Sequence, residues 1–180
     1  MRFRSLFVVV ASVVLAGVTG AQVDSPATRV RIPYRTYVGL NPLGIPFDIF
    51  SIELESGVAQ GMTLGVSASQ TDFDDDRYSS ADLKFRYYPS EVVLRGFSIG
   101  ASLGALRFSN NNGFPGARET LDAPTFGVLV DYNWMLGARH RFVVGTGVGA
   151  KRILASTEDR NRVGLERAQL TGRFTLGVAF

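Results

Sequence analysis

The stretch Ala168-Gln169-Leu170-Thr171-Gly172-Arg173-Phe174-Thr175-Leu176-Gly177-Val178-Ala179-Phe180 alternates strictly: Ala168, Leu170, Phe174, Leu176, Val178 and Phe180 share one parity, while Arg167, Gln169, Thr171, Arg173 and Thr175 share the other. A period of two is the signature of a strand with one apolar face, because successive side chains leave a pleated backbone on opposite sides. The same alternation recurs upstream. Phe126, Val128, Val130, Tyr132, Trp134 and Leu136 oppose Gly127, Asp131 and Asn133; Phe142, Val144, Val148 and Ala150 oppose Arg141, Gly145, Gly147, Gly149 and Lys151; Phe97, Ile99, Ala101, Leu103 and Ala105 oppose Ser98, Gly100, Ser102 and Gly104. Toward the front, Leu83, Phe85 and Tyr87 face away from Asp82, Lys84, Arg86 and Tyr88, and Met62, Leu64 and Val66 from Thr63, Gly65 and Ser67. Phe50, Ile52 and Leu54 oppose Ser51, Glu53 and Glu55, and Val38 and Leu40 oppose Tyr37 and Gly39. Eight strands are predicted, over 34–44, 47–57, 60–72, 79–89, 94–108, 123–137, 140–154 and 165–180. No stretch after residue 30 shows helical periodicity.

Composition limits the chemistry. The 180 residues are 46% hydrophobic and 19% charged, with no Cys and a single His. Disulfides, thiolate metal sites and cysteine nucleophiles are excluded, as are poly-His zinc sites. A net charge of +3 with scattered Lys and Arg excludes a dedicated nucleic-acid binder. Arg2 and Arg4, the apolar run Leu6 to Val18 and the small residues Thr19-Gly20-Ala21 form the parts of a secretory signal peptide, expected to be cleaved after Ala21. Residues 22–33 then form a short N-terminal segment and 34–180 the barrel.

The apolar face must point somewhere. Facing water, it would form a patch far beyond the few hundred Å² normal for a soluble monomer. Facing inward, it would overfill a barrel of eight strands. Facing lipid resolves both, and closure satisfies the backbone donors and acceptors that hydrocarbon would otherwise leave unpaired. The expected fold is therefore all-β, an eight-stranded antiparallel up-and-down transmembrane β-barrel. Long links are expected at Phe73–Tyr78, Ser109–Asp122 and Ala155–Gly164, and short ones at Val58-Ala59, Ser90–Val93 and Ala138-Arg139. With both termini in the periplasm, Tyr87, Phe97, Trp134, Phe142 and Phe180 fall at one end of the lipid face, where an aromatic girdle belongs.

Phe174, Leu176, Val178 and the terminal Phe180 resemble the C-terminal signal of bacterial outer-membrane β-barrels. Val38-Gly39-Leu40-Asn41-Pro42-Leu43-Gly44, Ser51-Ile52-Glu53-Leu54-Glu55 and Phe85-Arg86-Tyr87-Tyr88-Pro89 are similar to a family of small eight-stranded bacterial outer-membrane barrels, with an architecture like that of OmpA and OmpX. The resemblance implies a bacterial outer-membrane location, insertion by the barrel-assembly machinery, and contact with membrane lipid and lipopolysaccharide. It names no external partner.

Candidate chemistry is sparse. Gly100-Ala101-Ser102-Leu103-Gly104 fits a serine-hydrolase pattern, with Asp131 and His140 following in order, but period two keeps Ser102 on a straight strand where the nucleophile elbow needs a sharp turn. Asp72, Asp74 and Asp76 open like a calcium loop that then lacks its Gly and Glu. The glycines of Gly145–Gly149 lack the order of a phosphate loop. No enzyme, cofactor or metal is expected. The informative set is the polar parity: Glu53, Glu55, Asp82 and Asp131 against Lys84, Arg86, Lys151, Arg167 and Arg173, with Arg35 and Arg141 on the same faces. Buried charges must be paired, so this set is expected to plug the lumen of a protein with a structural or surface-interaction role. A narrow pore with an anion preference is the alternative, and a periplasmic lipocalin-like binder the third reading.

Overall fold

The computed structural model describes residues 34–73, 76–111 and 118–180. The expected signal peptide Met1 to Ala21 and the segment 22–33 lie outside the described residues. Eight strands form one closed antiparallel barrel in sequence order: β1 (Thr36–Leu40), β2 (Ile49–Ala59), β3 (Met62–Phe73), β4 (Asp76–Tyr87), β5 (Gly96–Asn111), β6 (Arg118–Leu136), β7 (Phe142–Ile153) and β8 (Ala168–Ala179). The strand pairing fixes the geometry. Starting from Tyr37, the paired row runs through Glu55, Gly65, Lys84, Ser102, Gly127 and Lys151 to Gln169, which lies ten residues from Ala179, the residue paired with Tyr37 on the other side. A climb of ten residues (about 33 Å) over a circuit of about 38 Å sets a strand tilt of about 41°, inside the range of closed barrels.

The parity of every strand is as the alternation requires. Val38, Leu40, Ile52, Leu54, Val66, Leu83, Phe85, Ile99, Leu103, Val128, Val130, Val148, Leu176 and Val178 are all exposed on the outer face. From Phe126 to Leu136, roughly ten residue steps correspond to about 25 Å along the axis at that tilt, the height of the apolar band of a membrane barrel. Above this belt the outward positions turn polar. Arg77 pairs with Asp72 and Arg107 with Asp122 across adjacent strands, N···O 2.6 Å in each case. Hydrogen bonds from Arg107 hold the Asp122 carboxyl below the usual range, and those from Arg77 and then Gln70 do the same for Asp72.

The ends of the elements differ from expectation. The β2–β3 turn is Gln60-Gly61 rather than Val58-Ala59, with Gly61 at φ +64. A β-carbon there would press on the Tyr88 carbonyl at 2.8 Å, so this position requires glycine twice over. The expected long link Phe73–Tyr78 is shorter, since β3 runs to Phe73 and β4 starts at Asp76. Most of Ser109–Asp122, expected as loop, is strand: β5 runs to Asn111 and β6 begins at Arg118, so this hairpin rises above the rest of the wall. The β7–β8 link contains a helix, α1 (Thr157–Val163), which the alternation did not anticipate. Its Ser156 cap accepts a hydrogen bond from the Asp159 amide at 3.0 Å, and Gly164 closes it in the left-handed conformation. Ser156→Ala is expected to loosen α1 by about 1 kcal/mol. Hydrogen exchange of the Asp159 amide should accelerate while the strand amides of β7 stay protected.

Candidate functional site: the barrel lumen

The interior is layered. At the end carrying Tyr34 and Phe180, the lumen is filled by Tyr37, Tyr88, Leu94, Met135, Val143 and Ala179, all buried. The β4–β5 turn folds across this mouth. Leu94 adopts φ +65, a conformation that costs a branched residue energy, and is fully buried; Val93 closes on Gly57 of β2, where a β-carbon would stand 3.2 Å from it. At the opposite end Leu106, Leu121, Ala123, Ile153 and Val163 form a small apolar cluster between the tall hairpin and α1, with Tyr78, Phe108 and Leu165 against it. The inner face is thus polar in the middle and apolar at both ends, and the apolar ends were not among the residues expected from the sequence. Each Leu, Ile, Val or Met among them contributes roughly 1.5–3 kcal/mol by leaving water.

Between these layers lies the charge network. Arg86 on β4 is 1% exposed and reaches three carboxylates: Asp131 through Nε at 2.6 Å, Glu53 through Nη2 at 3.2 Å, and Glu55 through Nη1. Glu53 in turn meets Lys84 at 2.6 Å and Arg173 at 2.7 Å. Glu55, with no exposed surface, also accepts from Thr63 at 2.6 Å and from Tyr88 at 2.8 Å. Asn133 ties the two halves together, donating to the Tyr88 hydroxyl at 2.9 Å and accepting from Arg173 at 2.8 Å. One step toward the far end, Lys151 and Asp82 form a separate pair at 2.7 Å. Most of the long side chains come from β2, β4 and β8, with Lys151 from β7, and the glycines of β5 to β7 make the space. A β-carbon on Gly147 would stand inside the Asp131 carboxylate, and one on Gly145 would reach Arg173 Nη1 at 2.5 Å.

Three of the cations expected inside are outside. Arg35, Arg141 and Arg167 have lumen parity but stand just beyond the ends of their strands, exposed at the rims. Arg35 donates to the Ala59 carbonyl at 3.3 Å, and Arg141 lies over the Tyr34 ring at 5.7 Å. A guanidinium at a rim keeps its head in water at no desolvation cost. What remains is four carboxylates (Glu53, Glu55, Asp82, Asp131) facing four cations (Lys84, Arg86, Lys151, Arg173). The basis for an anion preference is thereby removed. A cavity of about 200 Å³ lies on the far side of the network, lined in part by Ser69, Ser80, Thr171 and Asn41 and floored by Arg86 and Arg173.

The other expected residues are placed as follows. Phe174 is half-buried, with Leu176, Val178 and Phe180 exposed below it on the outer face of β8. Tyr87, Phe97, Trp134 and Phe142 are exposed around the terminal end of the belt, and Tyr132 packs on Trp134 with ring centroids 4.6 Å apart. Ser102 points into the lumen from the middle of β5, whereas His140 lies in the β6–β7 turn, so no triad is brought together. Among the described residues no cluster of three potential metal ligands occurs.

In structure comparison, the barrel aligns with the crystal structure of the N-terminal β-barrel domain of Pseudomonas aeruginosa OprF, with a TM-score of 0.52 over 82% of this chain and 98% of that one. The fold is that of a closed eight-stranded β-barrel domain. Sequence identity across the alignment is 10%, and what is shared is the eight-stranded closed architecture, like that of OmpA. No protein-family model and no curated protein sequence matches the chain.

Proposed function

We propose that the protein is an integral barrel of the bacterial outer membrane, non-catalytic and without cofactor. Its lumen is plugged by the Arg86-centred network, and the barrel serves as an anchor for the tall β5–β6 hairpin and α1, displayed on the outside. The observation that carries this reading is the inversion of a soluble protein: a continuous apolar belt outside and paired ions within. Hydrocarbon is the one solvent in which that arrangement is the stable one. A lipocalin-like binder would need the opposite, an apolar cup and a charged exterior. The aromatic ring of Tyr87, Phe97, Trp134 and Phe142 would sit at the headgroup level of the inner leaflet. The apolar face of β8 would be the surface that the assembly machinery reads. Lipid and lipopolysaccharide would surround the belt, and the external partner would meet the hairpin.

Membrane fractionation with heat-dependent gel mobility tests the location: the folded barrel should co-sediment with outer membranes and run faster unheated. Planar bilayers test the plug. Purified protein should give no steady current, because the Arg86 layer leaves no continuous water path. Ohmic, long-lived openings would replace the plug by a narrow pore.

A further inference from the structure

The β1–β8 seam is incomplete. β8 is twelve residues long but pairs with β1 only over Leu176–Ala179, since β1 ends at Leu40. The chain then leaves the wall. The Asn41 amide bonds to the Ser51 carbonyl on the β2 side at 3.0 Å, Pro42 has no N–H to offer, and Ile45–Phe47 form a 3-10 turn. Thr36 and Phe180 exchange both backbone hydrogen bonds. Alternation along an antiparallel ladder therefore aims the backbone groups of Phe174, Gly172, Leu170 and Ala168 at the same side. Among the described residues no strand pairs with them there. An unpaired edge in hydrocarbon is costly enough that membrane barrels close it, so this notch needs an occupant able to meet polar groups while standing in lipid.

Two further observations specify its chemistry. The lumenal cavity reaches the notch: Asn41 lines one side and Thr171 to Thr175 the other. Four cations line it, Lys84, Arg86, Lys151 and Arg173, with Glu53, Asp82 and Asp131 beside them and Glu55 meeting Arg86 from behind. The Nε of Arg173 is buried and without a hydrogen-bond partner among the described residues. The flanks of the notch are apolar, with Leu43 and Ile45 exposed after β1 and Leu170 on β8 at 73% exposure, above every other large hydrophobic residue described.

We propose that the notch between β1 and β8 admits an anionic single-chain amphiphile from the membrane, its headgroup entering the lumenal cavity near Lys151 and Arg173 while its tail stays in the hydrocarbon along Leu43, Ile45 and Leu170. The inference rests on the membrane-embedded reading above. The headgroup supplies an acceptor to the Arg173 Nε and to the unpaired amides of the edge. The tail needs no acyl pocket inside the barrel.

The test uses the full chain folded in maltoside micelles, with dodecyl phosphate as probe and retention read by native mass spectrometry. One equivalent should be retained, and dodecyltrimethylammonium should be retained at least ten-fold less. Because the chain has no Cys, the double variant Asn41→Cys, Thr175→Cys can lock the seam one register step above Leu40–Leu176. Oxidation should weaken retention at least ten-fold and reduction should restore it, within one folded protein. Equal retention of the cationic probe, indifference to the lock, or tight binding of inorganic phosphate alone would each overturn the proposal. A barrel that does not fold into vesicles sinks the membrane reading instead; one that folds there and retains no amphiphile sinks this inference alone.

Discussion

Arg86→Met is expected to destabilise the barrel by about 3–5 kcal/mol, the cost of breaking a buried ion pair from one side. Methionine keeps much of the stem volume, so the loss is electrostatic rather than a cavity. Glu53 retains Lys84 and Arg173, but Glu55 loses its one cation, and Asp131 is left with Arg173 at 4.0 Å. With a denaturant slope of about 2 kcal/mol per molar urea, the midpoint should fall by about 2 M. Trp134, the single tryptophan, stands on the girdle and reports unfolding from lipid vesicles by its fluorescence. A triple variant carrying Arg86→Met, Glu55→Gln and Asp131→Asn should recover a large part of the loss, since neutral partners can still hydrogen-bond without an uncompensated charge. A single variant within 1 kcal/mol of the parent would mean that the three carboxylates do not depend on Arg86, and the sealed lumen would go with it. Lys84→Met, at a half-buried position where Glu53 keeps two other cations, should cost distinctly less.

The reach and the blind spots of the sequence have the same cause. Parity is absolute in a pleated strand, so Val128 outside and Asp131 inside follow from counting alone. Height is not encoded in parity. Arg141 and Lys151 share one parity, yet Lys151 is buried against Asp82 and Arg141 stands at the rim, just outside β7, because parity does not say where along the barrel a residue lies. The same gap hid the apolar caps. Leu106, Leu121, Met135 and Val143 lie on the polar parity near the strand ends, where a few apolar residues do not disturb the alternation of the rest. The polar run 109–122 read as loop because its outward residues meet water on the tall hairpin, while Leu121 and Ala123 on the other side carry the strand signal. Helix α1 is too short for a periodicity, but Ser156 three residues before Asp159 and Gly164 after Val163 were legible stop and start marks. The incomplete seam was also foreshadowed, by Pro42 close behind a weak first strand.

Val128→Arg is expected to cost about 2–4 kcal/mol, a large effect for a residue that is 54% exposed. At an ordinary surface position the same change stays within about 0.5 kcal/mol. The difference is the solvent: an arginine in mid-belt must drag water or headgroups toward the hydrocarbon centre or leave its charge unsolvated. Depth makes the argument quantitative. Along β6 the outward positions run from Leu136 at the girdle through Trp134, Tyr132, Val130, Val128 and Phe126 to Pro124, next to the charged Asp122. Arginine placed in turn at Leu136, Val130, Val128 and Pro124 should trace a profile that peaks at the two central positions and falls to about 0–1 kcal/mol at both ends. Urea titration of each variant in vesicles, followed by heat-dependent mobility, reads the profile directly. The inward neighbours of these residues do not change, so a peak cannot come from the Arg86 network. A flat series would show that the belt meets water, and would remove the reason for closing ions inside the barrel at all.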